Sequence, residues 1–121
     1  MDLSAPNIVG KYLLENNRKV LYRLVRSKNL FERRIAVLAT FAFIKNGESK
    51  DIFSLSETLL TDKEDLIHKA VGWMLREVGK RIGEKEEEKF LKKYSKRMPR
   101  TMLRYAIERF PDRKRKKYLG K

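Results

Sequence analysis

The sequence predicts an all-α fold of stacked two-helix repeats, about three pairs forming a short α-solenoid. Three observations predict it. Arg34-Ile35-Ala36-Val37, Lys69-Ala70-Val71-Gly72 and Arg104-Tyr105-Ala106-Ile107 share one pattern, a cation followed by apolar and small residues, at a constant step of 35. Upstream, Val20, Leu55 and Phe90 keep the same step, as do Leu24, Leu59 and Tyr94. Apolar residues recur at helical spacing throughout, no stretch reads as a strand, and the breaks between helices are short. A fixed period of this length means paired helices that bury their apolar faces against the next pair. The period alone leaves the particular helical repeat family open.

Each element has its own signal. Ser4 and Pro6 open a first helix carrying Ile8, Val9, Tyr12, Leu13 and Leu14, which stops near Asn16-Asn17. A short helix follows at about 18–27. The third, at about 30–46, is read with Phe31, Ile35, Leu38, Ala39, Phe41 and Ala42 on its buried side, and Gly47 ends it. Ser49 or Asp51 opens a fourth, through Ile52, Leu55, Leu59 and Leu60. The fifth runs from Asp65 to Arg81 and ends at Gly83. Glu84 to Arg97 reads as a sixth, with acids first and lysines late, as the helix dipole favours. Pro99 restarts the chain as a seventh helix through Phe110. The basic run Arg113 to Lys117 reads as a solvated, frayed terminus after Pro111.

Residues 1–121 form one domain by length, and the 41% hydrophobic content is enough for a modest core. The absence of cysteine removes disulfides and thiolate metal sites. No apolar run reaches the roughly 18 residues of a membrane span, so a soluble cytoplasmic protein is expected. Thirty Lys and Arg against 16 Asp and Glu leave a formal charge of +14. That excess favours nucleic acid, or less often an anionic membrane.

The helix Asp65–Arg81 organises the rest. Leu66, Ala70, Val71, Met74, Leu75 and Val78 mark its apolar face. Beside them, Lys69, Trp73, Arg76 and Lys80 form a second stripe, cationic with one indole in the middle. Trp73 reads equally as a partly buried core residue or as an open aromatic face. Gly72 sits mid-helix, at a cost of roughly 1 kcal/mol relative to alanine. A neighbouring helix or a ligand pressed against the backbone would explain it.

In a stack, equivalent positions align, so Arg34, Lys69 and Arg104 should form a cationic ladder, with Arg33, Lys45, Trp73, Arg76 and Arg100 near it. Such a groove suits a phosphate backbone. Classical catalytic sets are missing: His68 has no evident partner, and there is no HExxH, Walker loop or GxSxG. No metal site and no cofactor are indicated.

Nearly the whole chain resembles the C-terminal half of the DNA alkylation repair family, the AlkD-like DNA glycosylases. The residues that carry this are Asp2 with Ser4-Ala5-Pro6, and Glu32-Arg33-Arg34 with Ala36. They continue through Lys69-Ala70-Val71-Gly72-Trp73 with Leu75-Arg76-Glu77, then Met98-Pro99-Arg100-Thr101 with Leu103-Arg104-Tyr105-Ala106-Ile107. The resemblance implies HEAT-like repeats around a concave DNA-binding face, and removal of N3- and N7-alkylated purines by cleavage of the N-glycosidic bond. By the same resemblance Asp2 falls on the catalytic aspartate, Arg34 on a DNA-contacting arginine and Trp73 on an active-site tryptophan.

Those residue types suit the chemistry. An alkylated purine is already a cationic leaving group, so one carboxylate can stabilise an oxocarbenium-like sugar and orient water. An indole face holds a cationic base by about 0.5–2 kcal/mol, and arginine pins a phosphate with two hydrogen bonds. The resemblance also implies a partial domain that lacks N-terminal repeats and has no counterpart for an aromatic before the catalytic aspartate. The implied partner is duplex DNA containing alkylated purines, with the missing repeats or a second copy completing the groove. Two further readings are a DNA-binding helical repeat module without catalysis and a HEAT-like protein-interaction scaffold.

Overall fold

A computed structural model describes residues 18–120. The helix predicted over 4–17, and Asp2 ahead of it, lie outside the described residues. Within them the chain forms α1 (Lys19–Leu24), α2 (Leu30–Lys45), α3 (Lys50–Thr58), α4 (Asp65–Arg81), α5 (Glu84–Tyr94), α6 (Arg100–Ala106) and α7 (Asp112–Leu119). Short 3-10 turns, Leu59–Thr61 and Ser95–Arg97, extend α3 and α5. No strand occurs among the described residues.

By the 35-residue repeat the helices group as α1–α2, α3–α4 and α5–α6, a short HEAT-like α-solenoid in which α5 packs chiefly on α4. The second members form one row, with α4 packed between α2 and α6. Repeat-equivalent residues meet equivalent environments: Ala36, Val71 and Ala106 are all buried, as are Leu59 and Tyr94. Leu55 and Phe90 are buried too, whereas their counterpart Val20 is only partly so, at the edge of the described stack.

The first members are joined by side chains rather than by a broad apolar seam. Phe53 of α3 stacks on Phe90 of α5 with centroids 5.4 Å apart. The Tyr22 hydroxyl donates to Asp51 at 2.6 Å, and the Ser49 hydroxyl donates to Glu86 at 2.5 Å. Arg18 donates to Asp51 and Glu48 at 2.7 and 2.9 Å, and its guanidinium lies 4.1 Å from the Phe43 ring centroid.

Helix ends follow local chemistry. The Asn29 side chain caps α2 by accepting from the Phe31 and Glu32 amides at 2.8 and 3.3 Å. Gly47, at φ 83°, ends the same helix. Its amide reaches Ile44 and the next one, Glu48, reaches Phe43, at 2.9 and 3.0 Å, the paired bonds of a Schellman stop.

The structure corrects several expectations. Phe31 and Leu66, placed on buried faces by periodicity, are exposed at 64% and 44%. They are 35 residues apart, in the first turns of α2 and α4, so the repeat turns both away from the core. The helix expected to reach Phe110 stops at Ala106, because the next bonds tighten to the 3-10 pattern, with the Phe110 amide on Ile107 at 2.9 Å. Pro111 disfavours helical geometry at the residue before it.

The basic terminus is not frayed. It is helix α7, docked by Lys114 on Glu84 and Glu88, by the Tyr118 hydroxyl on Glu88, and by Tyr118 against Phe110 at 6.0 Å.

Candidate nucleic-acid interface

The stripe on α4 reads Lys69, Trp73, Arg76, Lys80, at helical steps of four, three and four. The same steps on α2 give Arg34, Leu38, Phe41 and Lys45, and Arg104 and Glu108 follow at α6 and its end. Leu38 is buried, so on α2 the stripe's middle belongs to the core. Phe41 binds two cations at once: Lys45 lies 5.0 Å and Arg81 of α4 4.8 Å from its ring centroid. Such contacts contribute about 0.5–1 kcal/mol at exposed sites. They tie the C-terminal ends of α2 and α4 together, so the two helices run side by side in the same direction.

The predicted residues differ in what already occupies them. Arg34 is half-buried, and its Nε is buried with no hydrogen-bond partner. Lys69 pairs with Asp65 one turn earlier at 3.3 Å. Arg76 pairs with Glu108 across the gap between α4 and the end of α6. Arg104 is exposed and enters no ion pair among the described residues. Arg100 is exposed and donates to the Leu119 carbonyl at 3.3 Å. Trp73 is partly buried and packs against the core, as the core reading of its side chain expects.

Arg33 is engaged elsewhere: it donates to Asp62 at 2.9 Å and to the Ser27 carbonyl at 3.0 Å. Its repeat column contains His68 and Leu103. His68 also turns to this loop, donating from Nε2 to the Asp62 carbonyl at 2.5 Å, and Leu103 is buried. That column was the available signal that Arg33 leans away from the ladder.

Beside the stripe is a cavity of about 180 Å³ lined by Arg76, Lys80, Arg109, Glu84, Glu87 and Phe110. Glu87 is 1% exposed, and its Oε2 has no partner. Gly79 lies against that carboxyl: a Cβ there would be 2.2 Å from Glu87 Oε1, so the end of the Glu87 side chain would have to shift. Burial, and then the charges of Glu84 and Glu88, push the Glu87 acid up to about 9, against the pull of Arg76. A value of about 9 favours the neutral form of this carboxyl at neutral pH, in a cavity shared by Arg76, Lys80, Arg109 and the acid Glu84. From the sequence alone Glu87 is one of the acids in the first turn of its helix that the dipole favours.

No cluster of three or more metal-ligating side chains occurs among the described residues, and none of their helices is long and apolar enough to cross a membrane. Stacked helix pairs whose second row carries a cationic stripe with one indole define a helical-repeat protein with a basic face. The chain belongs to the DNA alkylation repair family: the family model for DNA alkylation repair enzyme matches residues 1–110. Comparison with curated proteins and with solved structures returns no match.

Proposed function

We propose that the chain is a DNA repair glycosylase, or the C-terminal half of one, that hydrolyses the N-glycosidic bond of N3- or N7-alkylated purines. Membership of the DNA alkylation repair family over residues 1–110 is the observation that carries this reading. In it, duplex DNA lies along the basic face of the second-helix row. Arg34, Lys69, Arg76 and Arg104 contact phosphates, with Arg100 at the edge; Arg33, also expected there from the sequence, is held by Asp62 and would reach a phosphate only by leaving that pair. Trp73 faces the cationic base, and Asp2 stabilises the sugar and orients water. A cytoplasmic, nucleoid-associated location goes with this role.

The surroundings of Arg34 support its part. Its Nε is a donor already removed from water and left without a partner, a state that buried polar groups rarely keep. A phosphate oxygen would satisfy it with a charge-assisted bond. With about five phosphates neutralised, log affinity should fall against log salt with a slope of roughly −4 to −5. Arg34→Ala should weaken binding and flatten that slope by about one unit. Affinity that ignores salt would remove the phosphate track.

The catalytic part has its own test. Asp2→Asn should abolish release of 7-methylguanine or 3-methyladenine from alkylated duplex while DNA binding survives, because a carboxylate facing phosphates opposes binding. Release at the parent rate would take Asp2 out of the mechanism and leave a DNA-binding module.

A further inference from the structure

We propose that α7 is a second phosphate-binding element, which grips duplex DNA beyond the end of the second-helix row. The inference rests on the DNA-binding reading above and extends it past residue 110, where the family match ends.

Five consecutive cations, Arg113 to Lys117, would repel one another on an isolated helix of this length. Here one face is anchored and the other is left free. Lys114 and Tyr118, four apart, point to α5, where Glu84 and Glu88 receive the ammonium and Glu88 the hydroxyl. Arg100 holds the helix end through the Leu119 carbonyl at 3.3 Å. Arg115 is paired with Asp112 one turn back.

Arg113, Lys116 and Lys117 remain exposed on the far side and join no ion pair among the described residues. That face has no apolar side chain between its charges. A protein partner is held mainly by buried aromatic and apolar anchors, and stable membrane docking takes a second signal beside a polybasic patch, such as an apolar helix face or a lipid chain. A phosphate backbone needs neither, only positioned cations.

The free face also connects to the stripe. Arg104 lines a cleft of about 290 Å³ together with Arg115 and Lys116, with Ile107, Leu119 and the acids Glu108 and Asp112, the latter paired with Arg115, completing its wall. Arg115 stands 35 residues after Lys80, which stands 35 after Lys45, so α7 carries the next cation of a stripe column. A strand that follows the ladder to Arg104 meets α7 next.

The test uses the full chain and an undamaged duplex of about 20 base pairs, with anisotropy read across a potassium chloride series. Arg113→Ala, Lys116→Ala and Lys117→Ala together should flatten the log–log salt slope by about two to three units, near one per phosphate released. A charge-matched control, Lys50→Ala with Lys92→Ala and Lys96→Ala, should flatten it by less than about one. Matching melting curves would show that both triples fold. If the two triples bind alike, α7 is not a phosphate element and the inference is overturned. Loss in Arg34→Ala but not in the α7 triple overturns this inference alone. Loss in the α7 triple but not in Arg34→Ala retains it and overturns the ladder instead.

Discussion

Gly72→Ala is expected to destabilise the protein by about 1–3 kcal/mol, although alanine is the better helix former. An added Cβ would lie 2.5 Å from the Tyr105 Cβ and 2.6 Å from the Met102 carbonyl oxygen. Neither atom is the far end of a flexible side chain. Relief requires α6 to move away from α4, and that contact is the most extensive between the described helices. The roughly 1 kcal/mol of helix propensity regained is therefore outweighed. For a domain of this size the melting temperature should fall by on the order of 10 °C. A variant that melts at or above the parent temperature would mean that α6 packs more loosely than these distances imply.

That glycine marks how far the sequence could be read. A mid-helix glycine between Val71 and Trp73 pointed to close approach, and the neighbour proves to be α6 rather than a ligand. The repeat was legible because its columns combine period and residue type: Ala36, Val71 and Ala106 stand in one column of compact apolar residues, and all three are buried. Phe31 and Leu66 were misread because a 3.6-residue period identifies an apolar stripe without stating where its neighbours end.

For the candidate site, the stripe on α4 was readable from spacing, but its pairings were not. Nothing local joins Arg76 to Glu108 or Arg33 to Asp62; both ties cross between helix pairs. The docked α7 was missed for the same reason. Its partners, Glu84 and Glu88, lie 30 and 26 residues before Lys114, outside any helical spacing. Glu87 could have been found. It stands 35 residues after Ile52, a fully buried position, so the column places a carboxyl where its counterpart is apolar.

Glu87→Gln is expected to stabilise the protein at neutral pH and to remove much of its pH dependence. The parent acid is raised from 4.5 to about 9 in the folded chain, first by burial and then by Glu84 and Glu88. The folded state thus holds a proton that the unfolded state gives up. Below about pH 4.5 both states are protonated and the contribution to stability is fully present. It is lost as pH rises from there toward about 9. By pH 7.5 the accumulated loss is on the order of 4 kcal/mol. Glutamine keeps the shape and the neutral charge of the buried acid but has no proton to lose on unfolding. Parent and variant should therefore have nearly equal stability near pH 4, and the variant should gain steadily above it. Urea unfolding followed by circular dichroism between pH 4 and 8 measures both curves. Parallel curves would mean that Glu87 ionises as readily in the fold as outside it, with the cavity cations or water stabilising its charge.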